Sequence, residues 1–187
     1  GIIYRAYHAN LGKYVILKQA KLGMNPAMLR REVDILKNMR HRYLPVIYDY
    51  IDVENMVFVV EDYIDGWDLN EYITRSSYPE EAEIVRWLKQ LCEVLDYLHN
   101  REIIHSDIKP GNIMIDRRGD ICLIDFNISV LQGKDKTVLG YSNYYCAPEQ
   151  REQAKAVLYG KSPERVRIDS QTDIYSLCAT FYTLLSG

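Results

Sequence analysis

Residues 2–8 (IIYRAYH) and 14–20 (YVILKQA) are dominated by β-branched and aromatic side chains, with Asn10, Leu11 and Gly12 between them, so the pattern predicts a β-hairpin. Asn25 followed by Pro26 supplies a cap and a first-turn residue. Leu29, Val33, Leu36 and Met39 then recur at helical spacing up to a basic end at Arg40 and His41. This predicts an amphipathic helix of about four turns. Residues 46–52 (VIYDYID) and 56–63 (MVFVVEDY) read as two further strands joined by a polar turn at Glu54 and Asn55. The first third of the chain is therefore expected to be a small antiparallel sheet with one helix.

After Gly66 the periodicity changes from two to that of a helix. Pro79, Glu80 and Glu81 open a long helix with Ile84, Leu88, Leu91, Leu95 and Leu98 on one face. Apolar runs at 113–116 and 121–125 flank a turn at Arg117, Arg118 and Gly119, and the polar stretch 127–145 reads as a long loop. Residues 172–186 (TDIYSLCATFYTLLS) are nearly all apolar and of helical length, which predicts a helix buried on most sides.

Composition narrows the class. The 187 residues are 48% hydrophobic and 26% charged, as in folded proteins of one or two small lobes. A net charge of −3 provides no basic field for nucleic acid or an anionic membrane. Cys92, Cys122, Cys146 and Cys178 are isolated from one another, with no CxxC pair, which fits a reducing, cytoplasmic compartment. No apolar run reaches the length of a membrane span, and the first residues lack a signal-peptide pattern, although the chain opens on Gly1 rather than Met.

The candidate chemistry lies in HSDIKPGNIMI, residues 105–115, and in Asp125. Asn112 and Asp125 offer hard oxygen ligands of the kind Mg²⁺ takes alongside phosphate oxygens. That leaves Asp107 to orient a hydroxyl and accept its proton, with Lys109 two residues on to meet the charge of a transferring phosphoryl group. Phosphoryl transfer suits the set.

At this point the sequence resembles the protein kinase family, specifically the bacterial serine/threonine kinases of eukaryotic type. The resemblance rests on six ordered motifs: Lys18 in VILK, Glu32 in the following helix, HSD at 105–107, DIKPGN through Asn112, DFN at 125–127 and APE at 147–149. It implies an α+β, two-lobed protein kinase fold, with an N-lobe at 1–64 and a mainly helical C-lobe at 65–187, both partial. It further implies ATP and Mg²⁺ as cofactors, with Lys18 on the α and β phosphates and paired with Glu32, and Asn112 and Asp125 on the metal. Asp107 would be the catalytic base, and Lys109 would neutralise the γ-phosphate. Asp62 to Ile64 would form the adenine-binding hinge, with Ile3 above the base, Met114 beneath it, and Gly1, Ile16, Glu61 and Asp68 at the remaining nucleotide-binding positions. DIKPGN, together with Ser142 seven residues before Glu149, implies a Ser or Thr hydroxyl on a protein as the acceptor.

Several positions depart from the family pattern. Ser106 replaces the usual arginine, and Asn127 the glycine after Asp-Phe. Ile16 stands where Ala is common, and Glu61 where an apolar residue or Thr is usual; its carboxylate needs a partner, and Lys18 is the nearest candidate, in competition with Glu32. Gly1 aligns with the last glycine of the phosphate-covering loop, so the first strand falls outside the chain. The helices that normally follow residue 187 are also absent, which predicts exposed apolar surface and self-association. The segment 151–169 is longer than the family's usual link and carries several basic residues; it reads as a solvated insertion or, alternatively, as a substrate or partner contact beside the active cleft through Lys161, Arg165 and Arg167. The alternative reading is a pseudokinase, a nucleotide-binding or scaffolding module of the same fold. A small-molecule kinase is disfavoured by Lys109, Pro110 and the APE segment.

Overall fold

Strands β1 (Ile3–His8) and β2 (Lys13–Gln19) form the expected hairpin. Its turn closes on Gly12, whose φ of +64° is left-handed and whose N–H donates to the His8 carbonyl at 2.9 Å. The computed structural model describes residues 2–19, 33–34, 36–53, 56–75, 78–125, 130–131, 144–160 and 168–186. The chain divides into two compact units, Gly1–Asp65 and Gly66–Gly187.

In the first unit β2 pairs with β4 (Met56–Asp62), which pairs with β3 (Ile47–Val53), giving an antiparallel sheet in the order β1-β2-β4-β3. Of the expected helix only its end is described. Val33, Asp34 and Leu36 are helical, and Val33, Leu36 and Met39 are buried, as the 3.6-residue stripe requires. Its cap at Asn25 and Pro26, Leu29 and Glu32 lie outside the described residues.

A register shift between Ile47 and Asp49 marks a bulge at Tyr48. The Tyr48 hydroxyl donates to Asp62 Oδ1 at 2.5 Å, Lys13 Nζ donates to the same oxygen at 2.9 Å and to the Tyr48 oxygen, and the Val46 N–H donates to Asp62 Oδ2 at 2.9 Å. Burial pushes the Asp62 carboxyl up, but these donors outweigh it and hold the group below the usual carboxylate range.

The second unit is built on α2 (Glu81–His99). Glu80 and Glu83 close a capping box at its start. Ile84, Trp87, Leu91, Val94, Leu95 and Leu98 are buried along it. Leu88, expected on this stripe, is instead exposed: the core face is centred on Trp87 and Leu91, one position earlier in the turn. Trp87 Nε1 and Arg86 both donate to the Gly119 carbonyl at 2.9 Å, and Gln90 donates to Asp120 at 2.6 Å while accepting the Ile121 N–H at 3.0 Å. Those bonds clamp the turn between β7 (Ile113–Asp116) and β8 (Ile121–Leu123) onto the helix.

β7 also pairs with β5 (Gly66–Asp68), which leads into α1 (Leu69–Arg75). β6 (Ile103–Ile104) pairs with β9 (Val130–Leu131), a strand inside the stretch expected to be loop. The segment 151–169 begins as helix: α3 (Pro148–Leu158) runs into it and buries Gln153, while Arg151, Glu152, Lys155, Leu158 and Tyr159 are exposed, as a solvated segment requires, and Lys161, Arg165 and Arg167 lie outside the described residues.

The last helix, α4 (Ser170–Ser186), is not buried on most sides. Ile174, Tyr175, Tyr182 and Leu185 are exposed, and the buried face carries Thr172, Asp173, Ser176 and Thr180 beside Leu177, Phe181 and Leu184. The near-uniform hydropathy hid which side faces inward, because that side is the one holding the polar groups. Among the described residues no helix is long and apolar enough to cross a membrane.

A Cβ on Gly66 would lie 1.9 Å from the Ile115 carbonyl oxygen across the β5–β7 pair. Gly66→Ala is therefore expected to cost about 2–4 kcal/mol. Urea denaturation followed by the fluorescence of Trp67 and Trp87, both in this unit, should show a lower midpoint at unchanged slope.

Candidate active site

The loop after β6 is held by side chains from two helices, α4 and α3. Asp173, fully buried at the start of α4, accepts the Ser106 N–H on Oδ1 at 2.7 Å, and on Oδ2 the His105 N–H at 2.9 Å and His99 Nε2 at 2.8 Å. Gln150, also fully buried, donates to the Ser106 carbonyl at 2.7 Å and accepts the Ala147 N–H at 2.9 Å. Both peptide groups of Ser106 are thus fixed, and its φ of +66° places it in the left-handed region, which costs a non-glycine residue on the order of 1 kcal/mol. The fold uses the backbone of Ser106; its buried hydroxyl has no hydrogen-bond partner among the described residues.

This turn leads through Asp107 to a 3₁₀ turn, Pro110–Asn112. Lys109 Nζ lies 2.7 Å from Asp107 Oδ2, and Asn112 Nδ2 donates to the same oxygen at 3.0 Å and to the Asp107 carbonyl at 2.7 Å. Three residues nominated from sequence therefore meet at one carboxylate. With the amide nitrogen of Asn112 engaged by Asp107, its side-chain oxygen is the atom turned away from that carboxylate, and it is the only atom of that side chain able to ligate a cation.

Asp125 reaches the same neighbourhood through the backbone. The Ile124 N–H donates to the Asn112 carbonyl at 2.9 Å, and the Ile124 carbonyl faces His105 Nε2 at 3.1 Å. Asp125 then takes a φ of +63°, which Asp tolerates better than most residues. His105 is wholly enclosed, as expected, with Nδ1 accepting the Asp107 N–H at 3.3 Å, so the neutral Nε2–H tautomer satisfies both ring nitrogens. Phe126, Asn127 and Ser142 lie outside the described residues.

Within the first unit, register decides which side chains share a face. Ile3 is directly opposite Lys18 in the β1–β2 ladder, and Ile16 directly opposite Glu61 in the β2–β4 ladder. Opposed residues project from the same side of a sheet, and so do Ile16 and Lys18 two residues apart. Ile3, Ile16, Lys18 and Glu61 therefore form one cluster. Lys18 Nζ lies 2.7 Å from Glu61 Oε1, the partner anticipated for that carboxylate. Gly1 and Glu32 are outside the described residues.

The remaining nominated positions have local roles. The Asp62 N–H donates to the Val46 carbonyl at 2.9 Å. Ile64 is half-buried at the end of the first unit. Asp68 caps α1, accepting the N–H groups of Asn70 and Glu71 at 2.9 and 3.1 Å. Met114 sits between Asp68 and Cys122 in the β5–β7–β8 register.

The sequence profile of the protein kinase domain matches residues 1–187, the whole chain. The chain belongs to the protein kinase domain family. It is 29% identical over 185 residues to the maternal embryonic leucine zipper kinase of Xenopus tropicalis, covering 97% of this chain and 27% of that protein. It is 30% identical over 163 residues to the serine/threonine-protein kinase PrkC of Bacillus subtilis, covering 84% and 23%. It is also 29% identical over 202 residues to a probable serine/threonine-protein kinase of Streptomyces coelicolor, covering 98% and 28%. The chain thus spans about a quarter of the length of these relatives.

Asp173 and Gln150 are the site residues of this kinase domain that sequence reasoning missed. The signal for Asp173 was present, a carboxylate inside an otherwise apolar helix, which must be hydrogen-bonded if buried. Nothing local in the sequence marks Gln150.

Burial holds His105 below its ordinary value near 6.5, against the opposite pull of Asp173, the Ile124 carbonyl, Asp107 and Asp125. Above that pH both folded and unfolded chains carry it neutral. Below it the unfolded chain takes up the proton first, so stability falls as pH falls. The unfolding free energy of the parent is expected to drop below about pH 6.5 more steeply than that of His105→Gln, by up to about 1.4 kcal/mol per pH unit, in urea titrations at a series of pH values.

Proposed function

We propose that this chain is the catalytic part of an ATP- and Mg²⁺-dependent protein serine/threonine kinase, its two units serving as N-lobe and C-lobe. The observation that carries the reading is the convergence of Lys109 and Asn112 on the Asp107 carboxylate at 2.7 and 3.0 Å, on a loop anchored by a buried carboxylate. The serine/threonine kinases among the relatives support the acceptor class.

In this reading Asp107 orients a Ser or Thr hydroxyl and accepts its proton as the oxygen attacks the γ-phosphorus. The Asn112 amide keeps the carboxylate aimed, and Lys109 stands beside it to meet charge on the phosphoryl oxygens. The Asn112 oxygen and the Asp125 carboxylate are hard donors suited to Mg²⁺, which takes its other ligands from phosphate and water. The metal, when bound, offsets the charge of the phosphates. On the first unit, Lys18 would hold the non-transferring phosphates and Ile3 and Ile16 would cover the base. The four cysteines, none of them in a disulfide, fit a cytoplasmic setting. The exposed Ile174, Tyr182 and Leu185 support self-association of the chain.

The pseudokinase alternative draws its support from the residues at Ile16 and Glu61, which depart from the family pattern beside Lys18. Transfer of labelled phosphate from ATP to protein by the intact protein, with Asp107→Asn as control, separates the two. Loss of a general base is expected to lower kcat at least 10²-fold or so, with nucleotide binding retained. No transfer by the parent protein would leave the pseudokinase reading standing.

A further inference from the structure

The Lys18–Glu61 contact has a geometry that a chance surface pair lacks. Lys18 lies opposite Val59 in the β2–β4 ladder, so Glu61, two residues further along β4, is its diagonal neighbour on the same face. That separation is bridged by long side chains. The ends meet at 2.7 Å, with the lysine side chain 20% and the glutamate side chain 9% exposed. Both residues belong to the inner strands of a four-stranded sheet, whose spacing is set by backbone hydrogen bonds. A lysine on a flexible four-carbon stem is thereby placed by the sheet itself.

We infer that Glu61 is a positioning residue for Lys18, a counter-ion built into the sheet that presents the ammonium on the face shared with Ile3 and Ile16. An ammonium has three donors, so holding a carboxylate is compatible with meeting phosphate oxygens. Because the pair lies within one sheet, this placement does not depend on where the helix carrying Glu32 stands. The reacting phosphorus is not among the groups Lys18 holds, so the contribution of Glu61 is to ground-state and transition-state binding alike. Such uniform binding is read in KM and not in kcat. The inference rests on the phosphate-binding role proposed for Lys18.

The test is steady-state phosphate transfer by the intact protein, with the ATP concentration varied, for Glu61→Gln, Glu61→Met, Glu61→Asp and Lys18→Met, with thermal unfolding to verify that each variant folds. Glu61→Gln and Glu61→Met, which keep the length and lose the charge, are expected to raise KM for ATP about tenfold and leave kcat within about twofold. Glu61→Asp, which keeps the charge, should recover part of the loss. Combining Glu61→Gln with Lys18→Met should be no worse than Lys18→Met alone, as expected for groups acting through one another. An unchanged or lower KM in both neutral variants, with KM for ATP raised in Lys18→Met, would overturn the inference while leaving the kinase reading intact. Full activity in Lys18→Met would instead remove the role assigned to Lys18, and this inference with it.

Discussion

A single buried carboxylate, Asp173, organises the second unit of this kinase domain. Enclosed within the fold, it must be compensated, and it is: two backbone N–H groups and one imidazole converge on it. The donors come from two places. His99 closes α2, His105 and Ser106 begin the loop after β6, and Asp173 opens α4, so one charge ties two helices to the loop. The left-handed turn at Ser106 is tolerable because both of its peptide groups are held from outside, by Asp173 and by Gln150. The positions of Asp107, Lys109 and Asn112 follow from that turn.

Ile124 extends the same arrangement to Asp125. Its N–H and carbonyl are taken by the Asn112 carbonyl and the His105 ring, so the end of β8 is locked to the loop carrying Asp107. His105 serves as a neutral spacer between these segments, its two ring nitrogens joining the Asp107 and Ile124 peptides. In the first unit the corresponding device is strand register, which sets Ile3, Ile16, Lys18 and Glu61 on one face and brings the ion pair together.

Much of this was legible in the chain because it rests on local rules. Period-two runs located the four strands of the first sheet, Pro79, Glu80 and Glu81 located the start of α2, and the triplet Asp107, Lys109 and Asn112 could be nominated because residues two to five apart on one loop must stay close. The short elements were not legible: β5, β6, β9 and α1 span two to seven residues, too few for any periodicity to show. Leu88 and the inward side of α4 were misjudged for another reason. In a stripe of leucines, or a helix of nearly uniform hydropathy, side-chain type alone does not say which direction the core lies.

The sequence by itself determined the elements and the chemical kinds of the site residues, since propensity, capping and spacing act over a few neighbours. It also supplied the question that Glu61 raises, a charge in an apolar strand. Only the tertiary structure decided how such charges are compensated. Asp173 meets loop donors 67 and 68 residues away, and Glu61 meets Lys18 across a ladder joining distant segments. Such partners are chosen by the closure of the whole fold, because a buried charge takes whichever donors the packing brings within reach, and no local pattern names them in advance.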